Sequence, residues 1–107
     1  MLSTAQWKTV ADLVAWLDSI NGRSQEEITL RILKITEEAG EVAQAWIGVT
    51  GQNPRKGVTH TVADVQGELI DVMVTAAVAL ASVTDDPAAA LDAKLAQIAA
   101  ARLTPAP

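Results

Sequence analysis

The stretch GELIDVMVTAAVALASV, residues 67–83, is apolar on nearly every side when it is drawn as a helix. Two acids near its start, Glu68 and Asp71, precede a run dominated by Val, Ala, Leu and Met. A helix that is hydrophobic all round is typical of the centre of a helical protein. The stretch therefore predicts an all-α fold assembled around this segment.

Start and stop signals divide the chain into four helical segments. Ser24 and Glu27 have the spacing of a capping box, and Asp86 is followed by a proline at the first helical position. The predicted helices cover residues 4–20, 24–49, 61–83 and 86 onward, with fraying into the LTPAP terminus. Short connections between four helices indicate one four-helix-bundle domain over residues 1–107, in which we expect residues 104–107 to be disordered.

Composition excludes several classes of protein. The 107 residues are 50% hydrophobic, carry a net charge of −5 and include no cysteine. The hydrophobic content predicts a folded domain, and the absence of cysteine excludes disulfides and thiolate chemistry. The acidic balance argues against nucleic-acid or anionic-membrane partners, and the N-terminal segment lacks the basic start of a signal peptide. We expect a cytoplasmic location.

Three glutamates lie within five positions of the second helix, in TEEAGEVAQAW, residues 36–46. Helical spacing gives this helix a predicted core face of Ile28, Ile35, Val42, Trp46 and Val49. Beside it runs a second row, here called the polar stripe, of Arg31, Lys34, Glu38, Glu41 and Ala45. Glu37 points further towards solvent. Taken alone, the polar stripe is typical of a salt-bridged surface in which Lys34 pairs with Glu38 at i, i+4.

The third helix favours a different interpretation of these acids. Asp71 lies in a segment so apolar that we expect it to be buried, and Glu68 lies one turn earlier on the same face. Two buried carboxylates cannot both stay ionised without a compensating cation. Because oxygen ligands without cysteine suit Mg²⁺ or Mn²⁺, the pattern predicts a divalent cation between the two helices. A ferritin-like centre is excluded, since His60 has no glutamate three residues before it.

The two acidic motifs together resemble a family signature. EExxE at Glu37, Glu38 and Glu41, followed after 26 residues by ExxD at Glu68 and Asp71, resembles the MazG-like nucleotide pyrophosphohydrolases of the all-α NTP pyrophosphatase superfamily. The resemblance covers residues 24–83. It implies Mg²⁺-dependent cleavage of a nucleoside triphosphate to the monophosphate and pyrophosphate, with removal of non-canonical nucleotides as one such role. It also implies Glu38, Glu41, Glu68 and Asp71 as metal ligands, with Glu37 in support.

Five basic residues are candidate contacts for the substrate phosphates: Arg31, Lys34, Arg55, Lys56 and Lys94. The first two lie on the polar stripe, and the next two lie in the loop GQNPRKGVTH, residues 51–60. Lys94 follows Asp92 and one spacer, a loose match to a motif on the last helix of many family members. For each of the first four, a solvated cation that balances nearby acids is an equally good interpretation.

The remaining expectations concern packing and assembly. All three tryptophans, Trp7, Trp16 and Trp46, are expected in the core, and His60 is expected at the surface before a helix start. The all-round hydrophobicity of the third helix predicts contact with a second copy of the chain. The family resemblance also implies a dimer or a pair of dimers.

Two other functions remain open. One is a non-catalytic helical module whose acids bind a structural cation or a basic partner. The other is a regulatory subunit that binds nucleotide without turnover. A degenerate relative commonly loses one ligand, and all four acidic ligands are present here.

Overall fold

A computed structural model describes residues 1–103, and helices account for most of this range. The elements are α1 (Thr4–Asn21), α2 (Gln25–Thr50), α3 (Val62–Val83) and α4 (Pro87–Arg102). No strand occurs within residues 1–103. The predicted all-α, four-helix fold is confirmed. The predicted disorder of residues 104–107 lies outside the described residues.

Local capping explains where the helices begin. The Ser24 hydroxyl accepts a hydrogen bond from the Glu27 backbone N–H at 3.1 Å, which starts α2. Thr61 and Asp64 form a reciprocal capping box at the start of α3, and Asp86 caps α4 ahead of Pro87. Each cap satisfies backbone N–H groups that have no partner inside the helix. The helix starts expected from the sequence are therefore confirmed, but the capping box at Ser24 is only half formed, because the Glu27 carboxylate bonds to Arg31 instead.

The most extensive helix pair is α2 with α3, and α1 and α4 also pack against α3. The buried hydrophobic side chains are small: Val10, Val14, Ala45, Ala77 and Ala79. Among the described residues, no large side chain is fully buried. Small residues let helix axes approach closely, but they bury little apolar area.

The described part of the chain has an open arrangement. Its radius of gyration is 17.3 Å, whereas a compact domain of this length is expected near 13 Å. Many large apolar side chains are consequently exposed in the single chain. By length and composition α3 is also apolar enough to cross a membrane, but the core helices of soluble proteins pass the same test.

The predicted core face of α2 is wrong at Trp46. Trp46 is 53% exposed, and Trp16 on α1 is 58% exposed, so neither lies in the core of the single chain. The buried residues of α2 are instead Arg31, Ala45 and Gly48. Two of these belong to the polar stripe, so part of this stripe packs against the neighbouring helices. Polar groups therefore lie between the helices, where their pairing determines what the interface can bind.

Candidate metal centre

The acids of α2 and α3 meet across the helix pair. One carboxylate oxygen each from Glu38, Glu68 and Asp71 lies within 4.8 Å of the other two. A second trio, Glu37, Glu38 and Glu41, satisfies the same condition along α2 alone. Glu38 belongs to both trios. The five residues are called the acidic cluster below.

Glu68 contributes an unpaired buried oxygen to the acidic cluster. Its Oε2 atom is buried and has no hydrogen-bond partner in the described chain. Nearly all buried polar atoms in native proteins are paired. A carboxylate oxygen in this position needs a cation or a proton to offset its lost hydration. The residues present therefore fit a divalent cation with oxygen ligands.

The predicted burial of Asp71 is wrong, because Asp71 is exposed on α3. The neighbours of α3 leave this side of the helix open. Glu38, whose side chain is 13% exposed, and Glu68 are the more buried members of the inter-helix trio. The cluster thus has a buried side formed by two glutamates and an open side formed by Asp71. A ligand can reach the cluster from the open side.

Glu41 is placed differently from the other predicted metal ligands. It groups with Glu37 and Glu38 but not with Glu68 and Asp71. The four predicted ligands therefore do not form one compact set. The structure brings together three of them around Glu38 and keeps Glu41 on the α2 side.

One basic side chain, that of Lys34, already contacts the acidic cluster. Lys34 Nζ lies 3.3 Å from Glu37 Oε1 and 3.4 Å from Glu38 Oε1. The hydrogen bond to Glu37, together with the nearby charges, raises the pKa of Lys34. The predicted i, i+4 pair between Lys34 and Glu38 is confirmed. Lys34 offsets part of the charge on α2, but it makes no ion pair with Glu68 or Asp71.

Arg31 lies in a separate, buried network. Its guanidinium contacts Glu27 Oε2 at 2.7 Å, Asp18 Oδ1 at 2.9 Å and Ser82 Oγ at 3.1 Å. It also donates to the Gly22 carbonyl at 3.1 Å. Burial alone would lower the pKa of Arg31, but the hydrogen bonds from its guanidinium to Glu27 and Asp18 outweigh this and raise it. Arg31 therefore ties α1, α2 and α3 together, and we propose no phosphate contact for it.

The loop after α2 returns to the helix at Gly48. The Gly48 carbonyl accepts from the Thr59 N–H at 2.9 Å and from the His60 N–H at 3.4 Å. A Cβ at residue 48 would lie 2.6 Å from Thr59 Oγ1 and would also collide with the His60 ring. A larger residue would therefore displace the Thr59 and His60 side chains. His60, expected at the surface, is half-buried, and its Nδ1 lies 2.8 Å from Thr59 Oγ1.

Two depressions adjoin at this contact. An open pocket of about 550 Å³ contains Glu68 and Asp71, and a cavity of about 370 Å³ lies between α2 and the loop. Thr59 and His60 line both. Sequence reasoning missed Gly48 and the position of His60. The available signal was a glycine inside a helix, which is unfavourable unless close packing requires it.

The other predicted phosphate contacts are less constrained. Lys56 lines the cavity between α2 and the loop, and Arg55 is exposed beside it. Lys94 is exposed on α4. Within residues 1–103, none of the three forms an ion pair with the acidic cluster. Their positions leave them available to an anionic ligand.

No family model, curated protein or solved structure matches the chain.

Proposed function

We propose that the protein is a Mg²⁺-dependent nucleoside triphosphate pyrophosphohydrolase that converts a ribo- or deoxyribonucleotide to its monophosphate and pyrophosphate. The observation that carries the proposal is the inter-helix trio of Glu38, Glu68 and Asp71, in which a buried Glu68 oxygen has no partner. The resemblance of the EExxE and ExxD motifs to MazG-like enzymes supports the same chemistry. Mn²⁺ is expected to substitute for Mg²⁺, since both prefer oxygen ligands.

The trio is assigned to hold the cation, with Glu41 as a further ligand from the α2 side. Bound Mg²⁺ would supply charge neutralisation at the phosphate oxygens and would lower the pKa of a coordinated water. In the reaction, the oxygen of water bonds to the α-phosphorus, and the bond from that phosphorus to the α,β-bridging oxygen breaks. The proton of water passes to a carboxylate of Glu37, Glu38 or Glu41.

Basic side chains complete the proposed site. Lys34 lies within ion-pair distance of Glu37 and Glu38, so a phosphate that approaches the cluster also approaches a positive charge. Lys56 and Arg55 extend the positive charge into the loop. Lys34 is assigned to the outer phosphates, which become the leaving pyrophosphate, and the two loop cations are assigned to the phosphate oxygens nearest the loop.

We also propose that the chain acts as a homodimer or a pair of dimers. A groove of about 310 Å³ between α1 and α3 is lined mainly by apolar side chains, including Leu13, Ile70, Met73 and Val74. On α3, Ile70 and Met73 are 56% and 60% exposed. Monomers rarely expose a continuous apolar surface of this kind. A second copy would cover it most simply across a two-fold axis.

The alternative to an enzyme is a non-catalytic module, and one observation favours it. Lys34 already neutralises part of the acidic cluster, which is how a solvated, salt-bridged face behaves. On this alternative the acids bind a structural cation, or bind nucleotide for regulation. The alternative predicts binding of Mg²⁺ or nucleotide without turnover.

The decisive experiment measures pyrophosphate release from the four ribonucleotides, the four deoxyribonucleotides and a set of modified bases, with and without Mg²⁺. Mg²⁺-dependent release from at least one substrate, lost by orders of magnitude in Asp71→Asn, is expected. Glu37→Gln, on the more exposed side of α2, should lose less activity. Binding of Mg²⁺ without any pyrophosphate release would favour the non-catalytic module and would contradict the proposed reaction.

A further inference from the structure

The cavity between α2 and the following loop differs chemically from the acidic pocket beside it. No aspartate or glutamate lines it among the described residues, and its polar groups include Gln44, Asn53, Lys56 and His60. The rest of its wall is largely small and apolar, with Ile47 as the bulkiest apolar member. Its volume of about 370 Å³ falls within the roughly 300–1,000 Å³ typical of small-molecule sites.

Gly40 adds to the volume of the cavity, and no packing contact within the described chain requires a glycine at this position. It lies inside α2, one residue before Glu41, and a Cβ built there would meet no atom within 4 Å. Gly48, by contrast, is packed against the loop. A glycine inside a helix weakens the helix. Because Gly40 lines the cavity, a methyl group at this position would take space that a ligand in the cavity could use.

The amide side chains give the cavity its hydrogen-bonding character. Asn53 Oδ1 accepts from the Arg55 backbone N–H at 3.0 Å, which fixes the amide and leaves its NH₂ group as a donor. Gln44 has no hydrogen-bond partner within residues 1–103 and offers both a donor and an acceptor. Neutral amides in a mainly apolar wall suit a nucleobase, whose edge has donors and acceptors and whose faces are apolar. They suit a highly charged pyrophosphate poorly.

The connection to the acidic pocket orients such a ligand. Because Thr59 and His60 line both depressions, a molecule that spans them would place one end beside Glu68 and Asp71 and the other beside Gln44. In a nucleoside triphosphate the phosphates would occupy the acidic end. The base and sugar would then occupy the neutral end, with Lys56 contributing positive charge beside the sugar and α-phosphate.

We infer that this cavity is the nucleoside subsite, and that Gln44 and Asn53 determine base specificity while Gly40 admits the nucleoside. The inference rests on the proposed pyrophosphohydrolase function, because that function places the phosphates at the acidic cluster. It assigns specificity to residues of α2 and the loop that lie outside the EExxE and ExxD motifs.

Steady-state kinetics over the eight canonical nucleotides test the inference in Gln44→Ala, Asn53→Asp and Gly40→Ala. Asn53→Asp keeps the oxygen that accepts from Arg55 and removes the NH₂ donor. Loss of one hydrogen bond to the base should change the ratio of kcat/KM between the best and worst bases by about tenfold. Gln97→Ala, which truncates an exposed glutamine of α4, is the matched control and should leave the ratio unchanged.

Gly40→Ala separates a ligand role from a structural one. Alanine should strengthen α2 and raise the melting temperature, yet its methyl group should raise KM at least fivefold with a smaller change in kcat. Base ratios within twofold of the unmodified protein in both amide variants, with KM unchanged in Gly40→Ala, would overturn the subsite and leave the proposed reaction standing. Failure of the unmodified protein to cleave any nucleotide would instead overturn the proposed function, and the subsite with it.

Discussion

A carboxylate oxygen of Glu38 on α2 lies within 4.8 Å of one from Glu68 on α3. Side chains that ordinarily repel each other are thus held together across the main helix interface. The repulsion is offset on the α2 side by Lys34, which contacts Glu38, but it is not offset at Glu68, whose Oε2 has no partner in the described chain. This imbalance gives the first prediction.

Mg²⁺ should raise the melting temperature of the protein, because a cation that binds only the folded chain stabilises it by mass action. Glu38→Gln should abolish this rise, since Glu38 belongs to both carboxylate trios. Glu37→Gln, the neighbouring change on a side chain that is 65% exposed, should retain most of it. Thermal melts and isothermal titration at millimolar Mg²⁺ or Mn²⁺ check this. Absence of binding with and without nucleotide would remove the basis for a metal centre.

The second prediction concerns Arg31. Arg31→Met should lower the free energy of unfolding by about 3 kcal/mol, because it leaves Glu27 and Asp18 without their shared partner inside the structure. The matched control is Lys8→Ala. Lys8 pairs with Asp12 on the surface, with side chains 76% and 66% exposed, and its loss should change stability by less than about 0.5 kcal/mol. Urea unfolding measures both. Equal stability in the two variants would contradict the structural role assigned to Arg31.

Acid should weaken the start of α3. The backbone N–H of Thr61 donates a hydrogen bond to the Asp64 carboxylate, and the Thr61 hydroxyl donates a second one. These two hydrogen bonds, the first more than the second, hold the pKa of Asp64 below its usual value. Because the folded pKa is lower than the unfolded one, the stabilisation is complete above the unfolded value of about 3.9 and is lost as pH falls through the folded value. Melting temperatures from pH 6 to pH 2 should therefore fall less steeply in Asp64→Asn. An unchanged slope would show that the capping box contributes nothing to acid sensitivity.

The helix starts could be predicted from the sequence because capping is local. Ser24, Thr61 and Asp86 each bond to a backbone group three residues away, so the pattern and its consequence lie in the same short segment. The all-α class follows from these starts and from the apolar run of α3. No tertiary information is needed for either.

The faces of the helices could not be predicted in the same way. Periodicity assigned Trp46 to the core, but the polar stripe with Arg31 is the more buried side of α2. A hydrophobic pattern assumes that apolar residues are buried within the same chain, and α3 offers α2 a surface with acids and small residues instead. Asp71 is exposed for a related reason, because too few neighbours surround α3. Glu38, Glu68 and Asp71 are neighbours, as the sequence predicted, whereas Glu41 lies apart from the two acids of α3. Which acids are buried depends on how the helices pack.

The fourth prediction concerns Gly48, whose contact with the loop was not predicted from the hydrophobic periodicity of α2. Gly48→Ala should lower the free energy of unfolding by about 1–3 kcal/mol, because the new Cβ forces Thr59 and His60 away from α2. Gly67→Ala is the control on α3, where a Cβ would meet nothing within 4 Å. It should raise stability by about 0.5–1 kcal/mol. If both variants gain stability, the loop does not dock at Gly48 in solution.

The last prediction concerns self-association through the groove between α1 and α3. Met73 is 60% exposed in the single chain, so Met73→Glu should leave the fold of each chain intact while placing a charge in the proposed interface. The unmodified protein should elute with at least twice the 11.2 kDa mass of one chain, and Met73→Glu should elute with that of a monomer. Val62→Glu, on the 54% exposed first residue of α3 and outside the groove, should keep the mass of the unmodified protein. Light scattering at low micromolar concentration distinguishes these outcomes. If the unmodified protein has the mass of a monomer and is fully active, the dimer is refuted and the catalytic proposal stands.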